Sequence, residues 1–244
     1  MKTAAIIQAR CGSTRFPNKT FALLAGKPLI WHVVNRLKSA KELDEIVIAT
    51  TTNPLDDKIE KWCHDNGVRV FRGSENDVLY RYYAANEKVK ADIVVRITAD
   101  DPFKEPRVVD MVVRKLKEEN LDYACDIYPP SFPEGLDCEA MTADVLRIQQ
   151  ENSTSAYERE HVTQYVYHNI DKFKIGNVSY KENISHLRWT LDTETDYKMV
   201  SIIYDALYKE GGDIFHMEDI LAYLKKHPDV AKINSEVERS AMYK

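Results

Sequence analysis

Short apolar runs alternate with amphipathic stretches through the first half of this chain, and that alternation constrains its fold more than any other feature. Ala4 to Ile7, Glu45 to Thr50, Val68 to Phe71 and Asp92 to Ile97 read as strands. Between them, Pro28 opens a pattern with Leu29, Ile30, Val33, Val34 and Leu37 on one helical face, and further helices are predicted from about Pro54 to His64 and from Asn76 to about Val89. Strands that are apolar on both faces and joined by helices pack as a mostly parallel sheet between helical layers. The predicted class is α/β, a three-layer α/β/α sandwich with a mostly parallel mixed sheet.

The second half alternates less cleanly. A helix from Pro106 to Glu119 and a strand around Tyr123 to Asp126 lead into the proline-rich connection Tyr128 to Gly135, which is neither helix nor central strand. A strand with alternating faces is predicted at Leu136 to Met141, then helices from Thr142 to Glu151 and from Tyr157 on to His168. His186 to Asp192 reads as a strand, and Thr193 with Asp196 fits a helix-start box ahead of Tyr197, Val200, Ile203 and Tyr204. With no linker and no internal repeat in 244 residues, the expectation is one domain over residues 1–226 and a polar tail over 227–244.

The turn-rich stretch after the first strand carries Arg10, Arg15 and Lys19 with Gly12, Ser13 and Thr14 and no acid. Forked donors, a point charge, hydroxyls and approachable backbone N–H groups in one loop suit a polyphosphate. The loop is not a Walker A motif, because Gly26-Lys27 is followed by Pro28, and it is not a Rossmann fingerprint, because Gly12 is the only glycine before Gly26. The net charge is −5, yet eight Lys or Arg precede the first acid, Glu42. A locally positive segment in an acidic chain favours a small polyanion over nucleic acid.

Ligands of open α/β sheets sit beyond the carboxyl ends of the strands. That rule brings Thr98-Ala99-Asp100-Asp101-Pro102 to the basic loop. The two carboxylates there suit either a hydrated Mg²⁺ beside a polyphosphate or the capping of the next helix, and the facing cations favour the first. Glu158-Arg159-Glu160-His161 reads either as a charged helical face or as part of a site, with no metal-ligand spacing around His161. Cys11, Cys63, Cys125 and Cys138 contain no Cys-x-x-Cys pair and fit a reducing compartment. Cys11 lies among cations that would acidify it, or is simply packed. The apolar start is too short for a signal segment and no stretch approaches a membrane span, so a cytoplasmic protein is expected.

Ile6 to Lys19, Ala49-Thr50-Thr51, Phe71 to Ser74, Asp77 to Arg81, Arg96 to Pro102, Glu158 to Thr163 and Leu187 to Thr193 together resemble the cytidylyltransferase family, in the branch named after the spore coat polysaccharide biosynthesis protein SpsF. The resemblance implies a nucleotide-diphospho-sugar transferase fold, CTP and Mg²⁺, and transfer of CMP to a hydroxyl of a sugar acid or related acceptor with release of pyrophosphate, for surface polysaccharide or glycan synthesis. It implies that Arg10, Arg15 and Lys19 hold the triphosphate, with Gln8, Ala9, Gly12, Ser13 and Arg81 at the nucleotide. It makes Asp100 and Asp192 the metal ligands and puts Asp137, Glu139, His161 and Arg188 on the acceptor side. The catalytic set is then Arg10, Lys19, Asp100 and Asp192, the partners are small molecules only, and homodimerisation is left open. One departure is Asn18, where the family has Gly before the lysine; Asn tolerates the left-handed conformation. The alternatives are a metal-dependent glycosyltransferase using a nucleotide sugar, against which no Asp-x-Asp occurs in the chain, and a noncatalytic nucleotide-binding module.

Overall fold

The computed structural model describes residues 1–239. The strands are β1 (Thr3–Gln8), a small hairpin of β2 (Leu23–Leu24) and β3 (Lys27–Pro28), then β4 (Glu45–Thr51), β5 (Arg69–Gly73), β6 (Ile93–Thr98), β7 (Tyr123–Cys125), β8 (Glu139–Thr142) and β9 (Ile175–Asn177). Seven of them form one sheet in the order β5-β4-β1-β6-β8-β7-β9. β5, β4, β1 and β6 run parallel, whereas β8 is antiparallel to both β6 and β7. The carboxyl ends of β1 and β6 therefore lie side by side, with Gln8 opposite Thr98.

The helices are α1 (Leu29–Leu37), α2 (Asp57–Asp65), α3 (Val78–Val89), α4 (Pro106–Glu118), α5 (Ala143–Asn152), α6 (Ala156–His161), α7 (Gln164–His168), α8 (Glu194–Leu207), α9 (Met217–Lys226) and α10 (Pro228–Lys232). Successive strand residues face opposite sides. Ala5, Ile7, Val95 and Ile97 pack with α1, α4, α8 and α9, while Ile6, Val94 and Met141 pack with α3, α5 and α7. This double core is the expected α/β/α sandwich.

Two expectations need correction. The helix from Tyr157 to His168 is broken: Val162 has φ 64°, so α6 ends at His161 and α7 restarts at Gln164. The strand expected at His186 to Asp192 is an extended segment with a single bridge, Glu134 to Arg188. It is held by Glu134 N–H to Leu187 O (3.0 Å), Trp189 N–H to Glu134 O (2.7 Å) and Leu191 N–H to Asp100 O (2.8 Å). Gly135, at φ 105°, permits this approach, since a Cβ there would stand 2.6 Å from the Thr190 nitrogen. Within the expected polar tail, residues 227–239 include packed positions. Val230 is buried, and the buried Asn234 amide donates to Arg188 O (3.0 Å) and to Asp196 Oδ1 (2.8 Å). The rest of the expected tail, 240–244, lies outside the described residues.

Candidate active site

A cavity of about 420 Å³ opens at the carboxyl ends of β1 and β6. Gln8, Ala9, Arg10, Gly12, Ser13, Arg15, Lys19, Arg81, Asp100, His161 and Asp192, all expected at a site, line it together. Its volume is typical of small-molecule pockets.

The basic loop keeps its shape through contacts that leave its cations at the cavity. Cys11 N–H donates to Asp56 Oδ1 (2.7 Å), and the buried Asp56 also takes the Thr51 hydroxyl at 2.5 Å. Thr20 Oγ1 donates to Arg10 O (2.9 Å). Asn18 adopts φ 59°, the left-handed conformation for which Asn is suited, and the turn continues into Lys19. The Cys11 thiol is not acidified: burial, with the Asp56 charge adding, pushes it up to about 12.

Lys19 Nζ lies 2.7 Å from Asp100 Oδ2 and 2.5 Å from Asp192 Oδ1. Burial alone would lower the ammonium, but the two carboxylates outweigh it and hold Lys19 above its ordinary value. Burial likewise opposes ionisation of Asp100, and the Lys19 charge overrides it, holding that carboxyl well below the usual range. Arg15 reaches Asp192 Oδ2 at 3.0 Å from the solvent side. Among the described residues no group of three or more His, Cys, Asp or Glu side chains converges.

Arg81 is nearly fully buried, and the acceptors it meets are the backbone oxygens of Ser74 (2.5 Å) and Glu75 (3.5 Å). Burial first, then the neighbouring charge of Arg10, weakens its hold on its proton, although a guanidinium stays charged. Two like charges this close form a surface that an anion stabilises. At the start of α3, the helix that carries Arg81, Arg159 Nη2 binds Asp77 Oδ2 at 2.6 Å, and Asp77 also caps α3 through Tyr80 N–H (2.8 Å). This clasp fixes α6 and leaves Glu160 and His161 on the cavity.

Asp137, Glu139 and Arg188 do not line the cavity, a correction to their expected place at the acceptor. Asp137 Oδ1 accepts from Gly135 N–H (3.1 Å). Glu139 is buried against Arg96 and the Tyr123 hydroxyl. Arg188 is buried and donates to Glu134 (2.9 Å), to both oxygens of Asp196 (3.0 Å each) and to Asp192 Oδ2 (3.3 Å). Charged side chains are buried when paired, and these three serve the walls rather than the interior. Glu75 and Asn76 line the cavity and were not singled out from sequence, while Arg96, Thr98 and Glu160 line it too and stood in the motifs of the resemblance without a role of their own. For Arg96 a signal existed: it is the charged residue inside the apolar run Ile93 to Ile97.

Over residues 4–242 the sequence matches the family described as Cytidylyltransferase. The chain belongs to the cytidylyltransferase family. This cytidylyltransferase is 37% identical to an uncharacterised protein of Methanocaldococcus jannaschii over 99% of its own length and 98% of the relative's. It is 32% identical to the spore coat polysaccharide biosynthesis protein SpsF of Bacillus subtilis over 93% of the chain and 95% of the relative. A cytidylyltransferase from Leptospira borgpetersenii has a solved structure that superposes with a TM-score of 0.90 at 32% identity, covering 95% of this chain and 97% of the other. Membership makes the protein a nucleotidyltransferase enzyme and accounts for the fold. No helix among the described residues is long and apolar enough to cross a membrane.

Proposed function

We propose that this cytidylyltransferase binds CTP with Mg²⁺ in the β1–β6 cavity and transfers CMP to a hydroxyl of a sugar acid, releasing pyrophosphate. The observation that carries the reading is that Asp100 and Asp192, distant in sequence, converge on Lys19 in a cavity whose other lining residues include Arg10, Arg15 and Arg81. The likeness to SpsF, and to 3-deoxy-manno-octulosonate cytidylyltransferases such as that of Thermodesulfovibrio yellowstonii (32% identical over 49% of each chain), supports a sugar acid bound for a polysaccharide.

The donor set fits Mg²⁺. One oxygen from each of two carboxylates already meets a single cationic nitrogen, and Mg²⁺ binds one or two protein carboxylates with phosphate oxygens and water completing its shell. When bound, Mg²⁺ would draw electron density from the α-phosphate and offset the charge that develops there. The chain's own residues do the positioning. Arg10, Arg15, Lys19 and Arg81 with the backbone N–H groups of Gly12 to Thr14 hold the triphosphate, and Lys19 moves from the carboxylates to a phosphate oxygen. The acceptor oxygen forms its bond to the α-phosphorus in line as the bridging P–O bond to the β-phosphate breaks. The hydroxyl proton passes to solvent at the open side of the cavity, where His161 is exposed.

The test is pyrophosphate release with CTP, ATP, GTP and UTP across a panel of sugar acids. Release is expected with CTP, only when Mg²⁺ and a sugar acid are both present. Release at the acceptor-free background across the whole panel overturns the reading.

A further inference from the structure

Arg96 sits inside the sheet, opposite Ile6 of β1 and Glu139 of β8. Val94 and Ile6, on the same face, are fully buried, so an arginine here sits where the pattern calls for an apolar side chain. Its charge is matched by the Glu139 carboxylate, which also accepts from the Tyr123 hydroxyl and, at 3.2 Å, from Tyr167. Thr163, at the α6–α7 junction just after His161, faces the same carboxylate. Glu139 is thus held from several sides and fixes the guanidinium in turn.

That guanidinium is underused. It has five N–H donors in a planar fork. Glu139 is its only hydrogen-bond partner among the described residues, and its buried Nε has none. Buried donors without a partner are rare in folded proteins and call for an explanation. Arg96 also lines the cavity, between Thr98 and Asp100 of its own strand end and Glu160 and His161 of α6. A planar fork with free donors matches the two oxygens of a carboxylate, which a lysine or an amide does not reproduce.

We propose that Arg96 binds the carboxylate of the acceptor and so sets the enzyme's preference for acidic over neutral sugars, with Glu139 as the positioning residue behind it. This rests on the transferase reading above and assigns a residue to its acceptor. The triphosphate has its own cations on the β1 loop and at Arg81, which leaves the β6 guanidinium to a second anion.

The wild type, Arg96→Lys and the paired neutral variant Arg96→Gln/Glu139→Gln are titrated with CTP and Mg²⁺. They are then titrated with a panel of sugar acids that includes 3-deoxy-manno-octulosonate and N-acetylneuraminate, each beside its uncharged methyl ester. Arg96→Lys keeps a cation beside Glu139, and the paired variant leaves no buried charge, so at least one folds; circular dichroism checks this. CTP affinity is expected to change less than about threefold, while affinity for the sugar acid falls at least tenfold and the methyl ester binds all proteins equally weakly. Sugar-acid affinity unchanged in both variants, a methyl ester that binds the wild type as well as the acid, or a wild type that binds CTP but no sugar acid each overturns the assignment. Failure of the wild type to bind CTP instead overturns the transferase reading itself.

Discussion

Asp100 and Asp192 share one nitrogen, Lys19 Nζ, at 2.7 and 2.5 Å. Their meeting depends on Leu191 N–H donating to Asp100 O, which seats the segment before Asp192 against the end of β6. Replacing either carboxylate removes one of the two proposed metal ligands while leaving this backbone contact intact. Asp100→Asn and Asp192→Asn are expected to lower turnover by at least about 100-fold, the scale of losing one preorganised electrostatic contact. Melting temperatures should stay near that of the wild type. Turnover within threefold of wild type in either variant removes that residue from the metal set.

If Asp100 and Asp192 hold Mg²⁺ as proposed, Lys19, which occupies the position between them, would compete with a divalent cation whenever no nucleotide is bound. Lys19→Met is therefore expected to tighten Mn²⁺ binding to the nucleotide-free protein, measured by electron paramagnetic resonance, while turnover with CTP falls about 100-fold or more. Weaker Mn²⁺ binding in the variant shows that Lys19 organises the carboxylates rather than competing for them.

Much of this was legible in the sequence, and the exceptions have a common cause. β1, β4, β5 and β6 announce themselves by apolar runs, and the loop of Arg10, Arg15 and Lys19 by its lack of acids, because these are local signals. The break at Val162 was not legible. A β-branched residue is a poor choice for positive φ, and only its fully buried side chain, a tertiary fact, holds it there. Glu139 and Arg188 looked like substrate ligands because their partners, Arg96 and Asp196 among them, are chosen by packing. Asn234 looked like tail for the same reason: its amide is spent on Asp196, brought to it by α8.

Arg188 lies at the centre of that last network, with Glu134 on one side and Asp196 on the other. Burial works against its charge and the surrounding carboxylates more than restore it, so the guanidinium is held above its ordinary value. Arg188→Met removes the cation that Glu134 and Asp196 share, leaving Glu134 to Arg239 and Asp196 to the Asn234 amide and its local N–H donors, and breaking such a buried ion pair costs about 3–5 kcal/mol. For a chain of this size that corresponds to a fall of roughly 10 °C in melting temperature. Thermal unfolding followed by circular dichroism checks it; an unchanged melting temperature with a raised acceptor KM would return Arg188 to the acceptor side.

His32 gives the fold a pH dependence separate from the site. Its ring is buried against Tyr204, with centroids 4.3 Å apart, and Nε2 lies 2.7 Å from Leu24 O, so it donates to that carbonyl. Burial, with the charges of Arg36 and Lys27 adding to it, lowers the imidazole to about 4. The unfolded chain takes up this proton near pH 6.5 and the folded protein does not, so the contribution to stability is complete above pH 6.5 and is lost as pH falls towards 4. Between pH 7 and pH 5 the loss is about 2 kcal/mol. His32→Gln, which keeps a donor for Leu24 O and cannot titrate, isolates this from the carboxylates that also protonate in acid. In urea unfolding at both pH values, the wild type should lose about 2 kcal/mol more than the variant over that interval. Parallel losses in the two proteins mean that His32 takes up its proton equally in the folded and unfolded states.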